Sequence, residues 1–259
     1  MDTLLVERDA GIVTVTLNRP EKKNAVTLTS WSELLTVLQE VAERPDDRAL
    51  VLTGAGGNFC SGADLSDPGM RVGGERPFME YMRRLADPLL RLHRLPKPSI
   101  AKVDGVAVGI GLSLALGCDL VVASDRARFS EIFPRRGLTV DGGSSWLLPR
   151  LVGLHKAKEL ALLGDIVPAA EAAAIGLVNK VVPADELDKA VDDWAARLAQ
   201  GPTLALSLTK RLLDNSFATS FDQALEDEAR SQHVTFSTHD AREAIGAFVQ
   251  KRDPSFQGF

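Results

Sequence analysis

This chain of 259 residues has only two cysteines, one tyrosine and three tryptophans, and no apolar run approaches the length of a membrane span. Cys60 and Cys118 are too few for a disulfide framework and suit a reducing compartment, so we expect a cytoplasmic protein. The sequence has no Cys and His cluster with metal-ligand spacing, so no metal site is expected. Residues 1–3 do not begin the basic and apolar pattern of a signal peptide.

The chain also has no excess of positive charge. Lysines and arginines number 30 against 35 aspartates and glutamates, which gives a formal net charge of −5. A protein without a basic excess is poorly suited to neutralise phosphates, so nucleic acid is not an expected partner. A content of 45% hydrophobic and 25% charged residues is typical of a globular protein that does not enter a membrane.

Hydrophobic periodicity predicts an α/β fold. Residues 12–17 alternate with the period of a strand, and strands and helices alternate through the first two thirds of the chain. The last third is nearly all helical, which predicts a core over residues 1–200 and a helical region over 201–259. Residues 129–149 are predicted to be irregular, and Ser30 with Glu33 predicts a capping box.

The most informative stretch is residues 100–119, where a buried strand leads through glycines into an apolar helix. The first N–H groups of a helix lack intrahelical partners and lie at its positive end, so they bind a phosphate or a developing oxyanion. A dinucleotide fingerprint fails because its third glycine would fall at Leu114, and a phosphate loop lacks its Gly-Lys-Ser/Thr. An N–H donor at Ile110 remains, and Gly62 allows a second donor at Ala63.

A serine hydrolase is an alternative interpretation of the same stretch. Residues 111–115 partly match the Gly-x-Ser-x-Gly nucleophile elbow around Ser113, and Asp141 and His155 follow in the chain order that such hydrolases use. The last glycine of the elbow is missing, and an apolar run encloses the serine. A small buried helical residue is therefore the favoured interpretation of Ser113.

Short motifs span almost the whole chain. In order they are Asn18-Arg19-Pro20 with Asn24-Ala25, Phe59-x-x-Gly62-Ala63-Asp64-Leu65, Lys97-Pro98, Gly105-x-x-x-Gly109-x-Gly111, Gly117-x-Asp119, Gly153 with Ala157, Gly164, Gly176-Leu177-Val178, and Ala247-Phe248-Val249-x-Lys251-Arg252. This succession resembles the crotonase superfamily, the enoyl-CoA hydratases and isomerases. The resemblance implies a spiral of ββα units followed by a C-terminal helical trimerisation region, in a homotrimer or a hexamer built as a dimer of trimers.

The resemblance also implies the site. The thioester carbonyl of an acyl-CoA would accept hydrogen bonds from the backbone N–H groups of Ala63 and Ile110, which would stabilise an enolate. Coenzyme A would be part of the substrate, with no separate cofactor. Lys22 or Lys23 would lie near the nucleotide, and Lys251 would reach the nucleotide of a neighbouring subunit. The residues expected to bind the substrate are Lys22, Ala25, Ser61, Ala63, Asp64, Leu65, Gly109, Ser113, Phe133, Trp146, Phe248 and Lys251.

Two departures from the family pattern bear on the reaction. Hydratases of the family use two glutamates around a water molecule, and the corresponding positions here hold Ser113 and Phe133. Neither side chain can act as an acid or a base toward water, so efficient hydration is not expected. Glu131 is close in sequence, but two residues along a chain can direct a side chain elsewhere.

One carboxylate, Asp141, remains in the right neighbourhood. The segment 137–150, with Asp141 before two glycines and a Trp-x-Leu-Pro-Arg ending, resembles the epoxyphenylacetyl-CoA isomerase branch. That resemblance implies conversion of 3-enoyl-CoA to 2-enoyl-CoA, with Asp141 as the proton shuttle. An apolar wall with Phe133 and Trp146 would raise its pKa. Residues 67–76 are expected to shape the acyl pocket. The alternatives are an enoyl-CoA hydratase of fatty-acid β-oxidation and a non-catalytic acyl-CoA-binding protein.

Overall fold

The computed structural model describes residues 1–67 and 78–259. The loop expected to shape the acyl pocket therefore lies outside the described residues from position 68 onward. Within the described part of the chain, no helix is both long enough and apolar enough to cross a bilayer.

Two sheets form the α/β core, which confirms the predicted fold class. The strands are β1 (Leu4–Asp9), β2 (Ile12–Leu17), β3 (Ala49–Gly54), β4 (Ser99–Val103), β5 (Val106–Val108), β6 (Leu120–Ser124), β7 (Arg128–Ser130), β8 (Val167–Pro168) and β9 (Lys180–Val182). The larger sheet has the order β1-β2-β3-β4-β6-β9, and the smaller one has the order β5-β7-β8. The β1–β2 and β7–β8 pairs are antiparallel, and the other pairs are parallel.

Helices cover the sheets and make up the C-terminal region. They are α1 (Leu28–Glu43), α2 (Phe78–His93), α3 (Ile110–Leu116), α4 (Ser144–Val152), α5 (Leu154–Leu163), α6 (Ala169–Ala174), α7 (Leu187–Ala199), α8 (Thr203–Asn215), α9 (Phe221–Phe236) and α10 (His239–Gln250). Short 3-10 turns cover Pro20–Lys22, Phe133–Arg136 and Ala184–Glu186. All side chains of α3 are buried, so this helix lies inside the core.

The alternation predicted for residues 12–17 is confirmed, because Val13, Val15 and Leu17 are at most 3% exposed while the intervening residues are half-buried. By contrast β3 is apolar and buried on both faces, as expected for a central parallel strand. Its carboxyl end leads into the loop that carries Ala63, and β4 leads toward α3. Neighbouring parallel strands thus deliver both glycine-rich segments to one edge of the sheet.

Two local predictions are wrong. Residues 129–149 are not irregular, because they contain the end of β7, a 3-10 turn and most of α4. Pro149 lies inside α4, and the strands of the smaller sheet are too short to produce a periodic signal. The capping box of α1 pairs Thr27 with Ser30 rather than Ser30 with Glu33. The Glu33 carboxylate instead accepts hydrogen bonds from the N–H groups of residues 2 and 3.

The C-terminal helices leave many large apolar side chains exposed. At 85% and 75% exposure, Phe248 and Val249 of α10 are extreme cases, and Phe217, Phe221 and Phe236 are each at least 67% exposed. One end of this region is tied to the core by the ion pair between Lys210 of α8 and Asp119, at 2.9 Å. The division at residue 200 and the trimeric or hexameric state stay predictions.

Candidate active site

Two backbone segments are joined beside the N-terminus of α3. The N–H of Cys60 donates to the carbonyl of Val106 at 2.8 Å, and the N–H of Val108 donates back to Cys60 at 3.0 Å. Gly62 and Gly109 have φ angles of +109° and +56°, a region that side-chain-bearing residues rarely adopt. These glycines allow the chain to turn on each side of the junction, and they place Ala63 and Ile110 at its two exits.

The N–H groups of Ala63 and Ile110 are available to a ligand. In residues 1–67 and 78–259, neither N–H donates a hydrogen bond to the protein. Ile110 is the first residue of α3, so its N–H lies at the positive end of a buried helix. A short bridge to Val26 fixes Ala63 through the neighbouring carbonyl of Gly62 and N–H of Asp64. Two fixed, unpaired N–H groups are the donors that an oxyanion hole requires.

Asp141 is held against the same end of α3. Gly142 has a φ of +62°, and a Cβ on it would lie 2.3 Å from the Cδ1 of Ile110 and 2.6 Å from the Cβ of Ser113, so only glycine fits. The peptide carbonyl of Asp141 accepts hydrogen bonds from the Ser113 hydroxyl at 3.2 Å and from the N–H of Ser144 at 3.1 Å. The turn that carries Asp141 is therefore anchored to the helix that carries Ile110.

The Asp141 side chain is half-buried, and its carboxylate is free to act. Its Oδ1 atom is buried without a hydrogen-bond partner in the described residues. Burial disfavours the charged form and raises the pKa of Asp141 to about 6. A carboxyl group with such a pKa is largely ionised at neutral pH yet more basic than an exposed carboxylate, which suits a group that takes and returns a proton.

Ser113 and Phe133 are both buried at the site. Ser113 is fully buried, and its hydroxyl is within hydrogen-bond distance of Gly109, Asp141 and Ser144. His155 is exposed on α5, and no described residue gives Ser113 an imidazole partner, so the hydrolase interpretation fails. Phe133 is 6% exposed, and its Cζ would lie 3.8 Å from a Cβ on Gly109. An aromatic ring thus lies beside the junction, and the assignment of this position to a hydratase's carboxylate stays a prediction from the family resemblance.

The structure brings a second carboxyl group, that of Glu131, close to this assembly. Glu131 is 1% exposed, and its Oε1 lies within hydrogen-bond distance of the Ser144 hydroxyl, at 3.0 Å. Burial raises the pKa of Glu131 to about 7, against the effect of this hydrogen bond, and the charge of Asp141 raises it further. In the sequence, Glu131 lies two residues from the position expected for a hydratase glutamate, and nothing in the pattern around Ser144 indicates that its hydroxyl would be buried beside that carboxyl group.

The predicted nucleotide-side residues lie on a second pair of joined loops. The N–H of Ser61 donates to the backbone carbonyl of Lys23 at 2.9 Å, and the Ser61 hydroxyl donates to the backbone carbonyl of Lys22 at 3.1 Å. The carbonyl of the buried Ala25 accepts a hydrogen bond from Arg19 at 2.6 Å. The Lys22 side chain and Leu65, at 64% exposure, are exposed, as a surface for coenzyme A would require. Their binding role stays a prediction.

Asp64 has a structural task in this platform. Its carboxylate accepts hydrogen bonds from the Ser66 hydroxyl and N–H and from Arg19, at 2.6, 3.0 and 2.8 Å. Hydrogen bonds from Ser66 and Arg19 lower the pKa of Asp64 to about 2. The side chain is thus committed to holding the loop that presents Ala63, and this contact is what the structure adds to its predicted role.

Replacing Asp64 with asparagine is expected to destabilise the fold at pH 7 by about 2 kcal/mol, because charged hydrogen bonds to Ser66 and Arg19 are weakened. A lowered folded-state pKa contributes stability above the ordinary pKa, and this contribution is lost as the pH falls toward 2. The gap between wild type and Asp64→Asn in thermal melts should therefore shrink on acidification. The exposed Asp9→Asn serves as the matched control, and an equal gap at pH 3 and pH 7 would contradict the assignment.

Trp146 lies on α4, and its predicted part in the apolar wall around Asp141 stays a prediction. Its ring lies edge-on to His93 with centroids 5.3 Å apart, and the Arg150 guanidinium stacks over it at 3.8 Å. It lines a cavity of about 940 Å³ between α2, α4 and α8. Gly142 and Gly143 also line this cavity, so it begins one residue beyond Asp141. Phe133 is buried beside the donors, whereas Trp146 is 39% exposed on the cavity side of α4.

Phe248 and Lys251 lie at the end of α10. The ring of Phe248 is 85% exposed, and Lys251 ends the helix in the left-handed conformation, at φ +56°. In the described part of the chain, no hydrogen bond or ion pair engages the Lys251 ammonium. An exposed, unengaged ammonium is what contact with a neighbouring subunit's substrate would need, and this role stays a prediction.

Known proteins similar to this chain indicate the family to which it belongs. The family profile described as enoyl-CoA hydratase/isomerase matches residues 7–258. The chain belongs to this family. It is 38% identical over 260 residues to 1,2-epoxyphenylacetyl-CoA isomerase of Escherichia coli, covering 100% of this chain and 99% of that protein. It is 34% identical to short-chain-enoyl-CoA hydratase of Clostridium acetobutylicum, covering 100% and 98% of the two chains.

A solved structure shows the same fold. The crystal structure of enoyl-CoA hydratase from Bacillus anthracis superposes with a TM-score of 0.94 at 29% identity, covering 99% of this chain and 100% of that one. The predicted crotonase-type fold and the resemblance to the epoxyphenylacetyl-CoA isomerase branch are confirmed. The protein is thus an acyl-CoA enzyme of the enoyl-CoA hydratase/isomerase family. Its relatives carry both hydratase and isomerase names, so membership leaves the reaction to be argued from the site.

Proposed function

We propose that this enzyme isomerises 3-enoyl-CoA to 2-enoyl-CoA, with Asp141 as the proton shuttle. The observation that carries the proposal is the half-buried Asp141 carboxylate, whose Oδ1 is buried without a partner in the described residues and which is fixed against the helix that presents the N–H of Ile110. The N–H groups of Ala63 and Ile110 would hold the thioester oxygen. Asp141 would take a proton from C2, and the electron pair of that C–H bond would pass to the thioester oxygen to give an enolate. As the C=O bond re-forms, the C1–C2 π pair would become the C2–C3 double bond, the C3–C4 π bond would break, and its electron pair would take the proton back from Asp141 at C4.

The energetics suit a single carboxyl group. Each N–H donor aimed at the developing oxyanion lowers the barrier by about 3 kcal/mol, so two donors account for much of the enolate's stabilisation. The pKa of Asp141, about 6, makes protonated and ionised forms accessible near neutral pH, as a group that both accepts and donates requires. Phe133 and Ile110 keep the surroundings apolar, which strengthens both effects.

Hydration is the second candidate, and one observation favours it: Asp141 and Glu131 both have raised pKa values within one cluster. A hydratase needs two groups that face one water molecule. Glu131 is 1% exposed and engaged by Ser144, and the two positions that the family's hydratases use hold Ser113 and Phe133. The burial of Glu131 therefore supports isomerisation over hydration.

Product analysis separates these candidates. We expect the purified enzyme to convert 3-hexenoyl-CoA to 2-hexenoyl-CoA, detected by chromatography, and to leave crotonyl-CoA without added water. Rapid formation of 3-hydroxybutyryl-CoA would instead support the hydratase. Tight binding of both esters without turnover would support an acyl-CoA-binding protein and overturn the proposal.

The apolar surface of the C-terminal helices supports assembly as part of the proposal. Phe217, Phe221, Phe236 and Phe248 are all at least 67% exposed in a single chain, more apolar surface than a monomer ordinarily exposes. We expect a homotrimer, or a hexamer of two trimers, in light scattering of the purified protein. A monomer at micromolar concentration would contradict this expectation.

A further inference from the structure

A chain of side chains runs from Glu131 to the turn that carries the proposed base. The Glu131 Oε1 lies 3.0 Å from the hydroxyl of Ser144, which lies 2.9 Å from the hydroxyl of Ser113. Ser113 in turn donates to the peptide carbonyl of Asp141 at 3.2 Å. Glu131, Ser144 and Ser113 are all at most 1% exposed. The catalytic mechanism proposed above uses none of these three side chains.

The direction of this chain depends on the protonation of Glu131, because each serine hydroxyl has only one hydrogen to donate. When Glu131 is ionised, Ser144 must donate to it, and the Ser113 hydrogen is drawn toward Ser144. When Glu131 is neutral, its O–H can donate to Ser144, Ser144 to Ser113, and Ser113 to the carbonyl of Asp141. Only when Glu131 is neutral do the hydroxyls of Ser144 and Ser113 each receive one hydrogen bond and donate one along this chain. When Glu131 is ionised, no group in the chain donates to Ser113.

The other carboxyl oxygen indicates which form is present. Glu131 Oε2 is buried without a partner in the part of the chain that the structure describes. An unpaired buried carbonyl oxygen costs much less than an unpaired buried carboxylate oxygen, which would carry charge. The geometry therefore favours the neutral acid.

We infer that Glu131 is a positioning residue: as a neutral acid it donates through Ser144 and Ser113 to the carbonyl of Asp141 and fixes the turn that carries the base. This inference rests on the proposed function. Glu131 is itself anchored, since the preceding Ser130 accepts a hydrogen bond from the N–H of Gly109 at 2.9 Å. This relay, Glu131 to Ser144 to Ser113 to the carbonyl of Asp141, therefore links the segment that is bonded to Gly109 with the turn that carries the base.

Few charges act on Glu131. Helix α3 contributes no titratable side chain, and on α4 Arg150 stacks over an indole ring. The turn after α5 approaches the backbone of Glu131 at Gly164, and its charged residue Asp165 pairs with Arg135 at 2.7 Å on the surface. Among the residues that the structure describes, Asp141 is the charged neighbour whose ionisation raises the pKa of Glu131, so Asp141 ionises first as the pH rises. Glu131 ionises next, and Ser144 must then donate to it, which breaks the chain of donors that leads to Asp141.

The decisive test is the pH profile of kcat/KM for isomerisation in wild type and Glu131→Gln. The wild type should show a bell whose rising limb belongs to Asp141 and whose falling limb belongs to Glu131. Glutamine keeps a neutral donor and acceptor but cannot ionise, so Glu131→Gln should lose the falling limb and exceed wild type about tenfold at pH 8.5. A wild-type falling limb that persists in this variant would overturn the inference.

A second variant tests the route through the serine. Ser144→Ala should lower kcat about tenfold with KM within about twofold, because the base is misplaced while binding is kept. In the Ser144→Ala background, changing Glu131 to glutamine should no longer alter kcat/KM at pH 8.5, because the relay is already cut. The same gain in both backgrounds would contradict action through Ser144.

An infrared measurement separates failure of this inference from failure of the proposed function. A wild-type minus Glu131→Gln difference spectrum at pH 6 should contain the C=O band of a protonated, buried carboxyl group, whatever reaction the enzyme catalyses. Absence of this band overturns the neutral-acid assignment. If the band is present but wild type does not isomerise 3-enoyl-CoA, the proposed function fails, and so does the positioning role that rests on it.

Discussion

Replacing Asp141 with asparagine is expected to lower kcat for 3-enoyl-CoA isomerisation by about 10³-fold or more, with KM changed by less than about threefold. Proton transfer by a positioned group contributes about 10²- to 10⁴-fold, and here one group performs both transfers. Asparagine has nearly the same shape, so the backbone contacts with Ser113 and Ser144 are kept. Loss of kcat without loss of binding is the pattern of a group that acts only in the transition state.

The stability of this variant supplies an internal control. The pKa of Asp141 is raised in the folded state, so its stabilising contribution is present below its ordinary pKa and lost as the pH rises through about 6. Above that pH the folded protein bears the free-energy cost of keeping an ionised carboxylate in a desolvated site. Asparagine carries no charge and avoids this cost, so the free energy of unfolding of Asp141→Asn at pH 7.5 should exceed that of wild type by on the order of 2 kcal/mol. The surface variant Asp165→Asn should change neither activity nor stability appreciably. An active Asp141→Asn enzyme would refute the shuttle.

The fold was largely predictable from sequence because its elements are long and strongly patterned. The alternation of β2 gave bounds that agree with the structure, Ile12–Leu17. The smaller sheet was not predictable, because strands of two or three residues contain less than one full pattern. Helix α4 was missed because Pro149 normally ends a helix, and here the following residues continue it as far as Val152.

The site was predictable where it depends on the backbone. The glycines at positions 62 and 109 predict chain turns, and the glycine pattern alone predicts a free N–H at the start of the apolar helix that follows Gly109. Asp141 was found through family resemblance, and its burial through structure. The link from Glu131 to Asp141 could not be predicted, because it depends on two serines that lie 31 positions apart in sequence and meet only in the folded core.

Replacing Gly111 with alanine tests the oxyanion hole directly. A Cβ at this position would lie 2.4 Å from the carbonyl oxygen of Cys60 and 2.8 Å from its Cβ, and neither the backbone nor a buried side chain can move away cheaply. Alanine gains about 1 kcal/mol of helix propensity, but overpacking of this kind costs about 1 to 3 kcal/mol or more. We therefore expect a net loss of about 1 to 2 kcal/mol in stability.

The larger effect of Gly111→Ala should be on catalysis. The clash separates α3 from the Cys60 segment that leads to Ala63, so the N–H of Ile110 and the N–H of Ala63 no longer converge on one oxygen. Misplacing a donor by about 1 Å costs about 10²-fold or more, and we expect kcat/KM to fall by that amount in a variant that melts cooperatively. Gly246→Ala is the matched control, because a Cβ there meets no atom within 4 Å. It should be equally active and slightly more stable. Full activity in Gly111→Ala would show that the thioester oxygen is not held by this pair of N–H groups.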